Sequence, residues 1–256
     1  AALDVSLNVG MGPGLARALA SLPQLRLLDA SGRILTDEVA EELAGTALPR
    51  LIALEVLCLS GAVLVGPRGW AALAAGLSPK ARASLRVLAL DECPGLDGDG
   101  AAALLGVGDG SPAPLAALRV LRLDCRHRRS ASEGLESALR RGHLPSLRVL
   151  ALHGDRLRLE LAEALRGTGV EQLELDGDGV LSVPAARALG GALCHMPRVR
   201  CVRLWAELRP GALRVLARAV VTGPVPRSLR EVRRPRGVAG APGDEGVAAR
   251  EAMERA

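Results

Sequence analysis

The segments "LRVLAL" (85–90), "LRVLRL" (118–123) and "LRVLAL" (147–152) decide how this chain is read. They stand 33 and then 29 residues apart, a spacing that marks an internal repeat. Outward from these three copies, the pattern L-x-x-L-x-L starts at Ala2, Leu25, Leu54, Leu85, Leu118, Leu147, Val170, Val199 and Leu229, with a mean step of about 28 residues. Its fourth and sixth positions are Val5/Leu7, Leu28/Ala30, Leu57/Leu59, Leu88/Leu90, Leu121/Leu123, Leu150/Leu152, Leu173/Leu175 and Val202/Leu204. The ninth copy, Leu229/Val232/Arg234, loses its sixth position to a charge.

Each copy changes periodicity halfway. The first half alternates apolar and other residues, as a strand does. The second half has helical spacing. In "SASEGLESALRRG" (130–142), Ser130 and Glu133 predict a capping box, Leu135 and Leu139 share one face, and Gly142 is the stop. In "LTDEVAEELAG" (35–45), Thr36 is the expected cap, with Asp37 and Glu38 in the first turn and Gly45 after the last. Every unit therefore predicts a strand, a turn and a helix of about ten residues. Such a unit cannot bury its apolar face alone. Stacked, the strands join as a parallel sheet and the helices pack behind it. Helices are about 10 Å wide and strands about 4.8 Å apart, so the stack must curve with its strands inside.

These residues resemble the leucine-rich repeats, and within them the ribonuclease-inhibitor-like class. "LRVLALHGDRL" (147–157) is similar to that class's L-x-x-L-x-L-x-x-N-x-L segment, and "LRVLALDECPGL" (85–96) to the variant with Cys93 at the Asn position. The resemblance covers about 230 residues. It implies an α/β curved horseshoe of about nine repeats, a concave parallel sheet, convex helices, and a protein partner on the concave face. The chain departs from the family at the ninth position, where Gly10, Arg33, Ala62, Arg126, Asp155 and Asp178 replace Asn, so its amide ladder is not expected. The domain reading is a solenoid over 1–235, then a Gly-rich linker and short C-terminal helix over 236–256.

Composition agrees with thin, close-packed layers. Apolar residues make up 49% of the chain, yet there is no Phe or Tyr and only two Trp, so Leu, Val and Ala must fill the core. The formal net charge of +5 argues solubility more than nucleic-acid binding. Cys58, Cys93, Cys125, Cys194 and Cys201 are odd in number and lack a CxxC pair. They indicate neither a disulfide framework nor zinc, and the expected compartment is reduced and intracellular, cytoplasmic by default. No long apolar run predicts a membrane span, and the first ten residues do not read as a signal peptide.

The third, fifth and seventh positions of each strand should face the concave side. On this reading Asp29, Asp91, Asp124, Glu174 and Asp176 form an acidic track, interrupted by Arg122, His153 and Arg203 and closed by Trp205. Such a surface suits a protein with a basic or mixed patch. The plainer alternative is that second-position arginines (Arg26, Arg86, Arg119, Arg148, Arg200, Arg230) neutralise these acids as solvated ion pairs. Trp205 is either an interface anchor or covered by the tail. A second surface is basic: Arg227, Arg230, Arg233, Arg234 and Arg236 in "RSLREVRRPR" are candidate phosphate-binding residues for RNA or an assembly, or else a solvated cap. Catalysis has little support. His153 lies one strand from Asp124 and Asp176, an acid–base geometry that a neutral surface histidine shares. Asp97–Gly98–Asp99–Gly100 and Asp176–Gly177–Asp178–Gly179 lack the closing Glu of a calcium loop and read as strand-to-helix turns. No cofactor, metal, small-molecule substrate or membrane contact is expected.

Overall fold

The structure is a computed structural model. It describes residues 1–5, 14–33, 35–107, 113–124, 129–154, 159–176 and 180–204, and then 207–208, 211–212, 214–216, 218, 229 and 231–233. The strands are β1 (Ala2–Asp4), β2 (Leu27–Asp29), β3 (Val56–Cys58), β4 (Val87–Leu90), β5 (Val120–Asp124), β6 (Val149–His153), β7 (Gln172–Asp176), β8 (Val180–Leu181), β9 (Cys201–Leu204), β10 (Glu207–Leu208) and β11 (Glu231–Arg233). Among the described residues, nine of them form one sheet in the order β1-β2-β3-β4-β5-β6-β7-β9-β11, and every pair is parallel. The helices are α1 (Gly14–Ala20), α2 (Asp37–Glu42), α3 (Pro67–Gly76), α4 (Pro79–Ser84), α5 (Gly98–Leu104), α6 (Arg129–Arg140), α7 (Leu159–Ala164) and α8 (Val183–Leu193). This is the curved leucine-rich-repeat solenoid, an α/β stack with its helices behind an open sheet.

The repeat pattern becomes packing directly. The fourth-position residues Leu28, Leu57, Leu88, Leu121, Leu150, Leu173 and Val202 lie in register across the sheet, and none exceeds 1% exposure. The first-position residues from Leu25 to Val199 are buried as completely, below the strands. Each such side chain contributes about 1.5–3 kcal/mol on leaving water, and the regular spacing joins them into one continuous core. Trp70 on α3 is the large body in a core otherwise of small aliphatics.

The structure corrects three local expectations. In the first repeat, Leu3 and not Val5 pairs with Leu28, so Asp4 aligns with Asp29 and occupies a fifth position. Val5 is buried at the sixth and donates its N–H to the Asp29 carbonyl. The alternation of "ALDVSL" satisfies a two-residue slip without exposing an apolar side chain, so only pairing with β2 sets the register. Thr36 does cap α2, its hydroxyl accepting from Val39 N at 3.4 Å. Gly45, however, does not end that helix. The chain runs on through a wide turn (Leu43–Ala47) and a 3-10 turn (Leu48–Arg50), because Leu43 and Ala47 are both held in the core. On α6, Ser130 falls inside the helix that begins at Arg129 and does not precede it. Gly142 does supply the stop, at φ 70°.

Some elements have no sequence forecast: the short parallel pair β8 and β10, and α4, inside the long step from Leu54 to Leu85. Ser78 caps it, accepting from Ala81 N at 3.2 Å. Its Arg82 is wholly buried. The guanidinium donates from Nε to the Ala113 carbonyl at 2.5 Å and from an Nη to the Leu104 carbonyl at 2.7 Å, with longer contacts to Ala74 and Ala103. It thus closes the C-terminal ends of α3 and α5 and fastens the chain at Ala113. Burial lowers its pKa to about 10, which leaves it protonated near neutrality. Carbonyls at the negative ends of two helices, Leu104 foremost, take the place of a carboxylate among the described residues.

Candidate functional site: the concave sheet

The seventh positions bring Ser60, Asp91, Asp124, His153 and Asp176 side by side at the ends of β3 to β7, with Asp124, His153 and Asp176 in direct register. Asp91 is the hub, only 5% exposed. One of its oxygens takes Arg122 Nε at 2.7 Å and the Ser60 hydroxyl at 3.3 Å. The other faces His153 Nε2 at 3.2 Å, and these two buried atoms have each other as charge partner without a well-aligned hydrogen bond. On its far side His153 Nδ1 meets Asp176 Oδ2 at 3.1 Å. The acids of the predicted track are therefore paired within the face itself.

Asp124 is buried, and one of its oxygens accepts Glu92 N–H at 3.0 Å. Glu92 has φ 53°, a left-handed conformation that favours glycine, so this carboxylate holds a strained turn in place. Asp29 is spent locally, accepting from Ser31 N at 3.0 Å. Glu174 receives Arg203 and the Gln172 amide. Trp205, Arg227, Arg230, Arg234 and Arg236 lie outside the described residues, as does the side chain of Arg233.

Four of the second-position arginines, Arg26, Arg86, Arg148 and Arg200, pair with glutamates outside this track. They form separate ladders along the edge where the strands begin: Arg26 and Arg86 flank Glu55 at 3.7 Å each, and Arg148 and Arg200 flank Glu171 at 3.2 and 3.6 Å. Second and fifth positions point to opposite faces of a strand, which the spacing of the repeat already implied.

Exposure varies along the concave wall. Its third- and fifth-position residues Val56, Cys58, Val87, Ala89 and Val120 form an apolar cluster separate from the main core, none more than 5% exposed. From β6 to β9 the wall is more open: Ala151 is still buried, but Val149, His153, Gln172, Glu174, Asp176, Cys201 and Arg203 are all partly exposed. The Asp176 side chain is 44% exposed and that of Arg203 29%. Cys58 sits in the closed half, and burial, reinforced by Asp29 and Asp91, pushes its pKa up to about 12. Cys93 shows what replaces the missing Asn: its thiol donates to the Leu59 and Asp91 carbonyls at 3.3 Å, and burial holds its pKa at about 12. One rung of the ladder survives, carried by sulfur.

The turn reading of the "DGDG" segments holds at Asp97, which caps α5 by accepting from Gly100 N at 2.8 Å. A capping link absent from the sequence reading crosses between repeats. Asp37 of α2 accepts from Gly66 N at 2.7 Å and Gly69 N at 3.1 Å, and so caps α3, whose own cap residue is glycine. Among the described residues, no cluster of three or more His, Cys, Asp or Glu is placed to hold a metal ion, and no helix is long and apolar enough to cross a membrane.

No protein-family model matches the chain, and no curated protein matches it. Among solved structures, one that is similar is the crystal structure of a TLR13–ssRNA13 complex. It is 14% identical with a TM-score of 0.40, over 95% of this chain and 34% of that one, so this chain spans about a third of the neighbour's length.

Proposed function

We propose that the protein is a non-catalytic interaction module of the ribonuclease-inhibitor-like type, which receives a protein partner on the concave sheet between β6 and β9. The observation that carries this reading is the change along the wall. Asp91 after β4 and Asp124 on β5 are buried and bonded within the face, whereas Gln172, Asp176 and Arg203 present mixed charge to solvent beside the half-buried Val149 and Cys201. Mixed charge around a small apolar centre suits a protein surface of opposite pattern. Asp91, Asp124 and Arg122 then act as the framework beneath the contact and not as the contact. The helix-backed convex side supports the placement in the ribonuclease-inhibitor-like class.

A photo-crosslinking residue placed at Gln172 tests this in cells. The expected result is a discrete protein adduct that Asp176→Arg abolishes and that the same crosslinker at the exposed, convex Arg17 does not form. Equal adducts at both positions, or an adduct indifferent to Asp176→Arg, would overturn it. Serine at Arg227, Arg230, Arg233, Arg234 and Arg236 is the control for the alternative, a structural subunit of a ribonucleoprotein or other large assembly that grips RNA or protein through this edge. RNA binding there would fall steeply with added salt.

A further inference from the structure

His153 lies between two carboxylates: Nδ1 is hydrogen-bonded to Asp176 at 3.1 Å, and Nε2 faces Asp91 at 3.2 Å as a charge contact without a well-aligned hydrogen bond. A neutral imidazole carries one N–H and one lone pair, so it can satisfy one of these carboxylates and must turn a lone pair on the other. Only the imidazolium suits both. We propose that His153 is a proton-operated clasp on the concave face: protonated, it ties β4, β6 and β7 together, and on losing its proton it keeps Asp91 and releases Asp176 to the partner surface. The functional meaning of this release rests on the concave reading given above.

The geometry says which side lets go. Asp91 and the Nε2 atom are buried, with no other partner for either facing atom among the described residues, so a lone pair turned on that carboxylate would stay unrelieved. Asp176 is 44% exposed and can turn into water. The neutral form therefore keeps its hydrogen on Nε2. Among the described residues, the charged groups around His153 are Asp91 after β4, Arg122 and Asp124 on β5, and Asp176 and Glu174 on β7. Arg122 is committed to Asp91, Asp124 accepts Glu92 N–H, and Glu174 takes Arg203. Deprotonation of His153 thus adds one net negative charge on the partly exposed stretch from β6 to β9. A partner with a basic patch would bind more tightly at the higher pH.

The chain alone tests this, by melting across about pH 5.5 to 8.5, the range in which imidazoles titrate. The clasp is complete at the acid end and loses one bond as pH rises. The expected result is a wild-type fall of about 2–4 °C that is absent in His153→Gln. Nitrogen-15 spectra of the imidazole should show the Nε2–H tautomer at the alkaline end. Equal pH dependence in His153→Gln, or an Nδ1–H tautomer, would overturn the proposal. Should His153→Gln not fold, Asp176→Asn decides: it should flatten most of the slope, and an unchanged slope would count against the clasp. A missing crosslink at Gln172 would instead sink the docking reading and leave these results standing.

Discussion

The same repeat buries a charge on each side of the sheet, and the two are held by different chemistry. Behind the sheet, Arg82 meets no carboxylate among the described residues; backbone carbonyls at the ends of α3 and α5 and at Ala113 surround it. On the concave face, Asp91 is surrounded by ionised or ionisable side chains, Arg122 and His153, with Ser60 beside them. Carbonyl dipoles do not titrate, so Arg82 gives a joint whose strength is insensitive to pH below about 10. Side-chain partners do titrate and can be exchanged, so the Asp91 cluster can respond. One buried charge makes a fixed seam between repeats, and the other makes an adjustable surface.

Breaking the seam should cost most. Arg82→Met leaves the buried Leu104 carbonyl without its donor and unfastens the chain at Ala113, an expected loss of about 2–3 kcal/mol by urea denaturation. Arg82→Lys should recover less than half, because one ammonium cannot span both carbonyls. Asp91→Asn should cost about 2 kcal/mol, since it strips Arg122 of its buried counter-charge. Unlike Arg82→Met, it should also abolish the pH dependence assigned to His153. Asp37→Ala removes the cap that one repeat lends the next and should cost about 1 kcal/mol. Glu55→Gln in the exposed Arg26–Glu55–Arg86 ladder is the reference for charges left in water, with an expected change under about 0.5 kcal/mol. If Glu55→Gln matched Asp91→Asn, burial would not be what separates the two kinds of charge. In the folded chain, Cys58 and Cys93 should resist a thiol reagent at pH 8 until denaturant is added, since both are buried with pKa values of about 12.

The sequence and the structure agree best where the signal repeats. The fourth-position ladder from Leu28 to Val202 was legible in full because every copy votes for the same register. Single-copy features were not. The first repeat slipped by two residues because its alternation fits either register. α4 was missed because "SPKARAS" is polar and short, and nothing local says that Arg82 turns inward. The acidic track was legible as a set of positions, but its internal pairing was not, because Asp91 meets His153 only across an intervening strand.

Taken by itself, the order of residues determined that strands and helices alternate, that the strands lie parallel on one wall, and which side chains fill the core. Those properties follow from periodicity, which is local and summed over nine copies. Only the tertiary structure decided which charges are spent and which are offered. Pairing depends on distances of about 3 Å between residues some 20 to 60 positions apart, and the parallel register of the strands brings them together. Asp91 and Asp176 are the same residue type at equivalent positions, yet one is sealed at the centre of the face and the other stands at its open side.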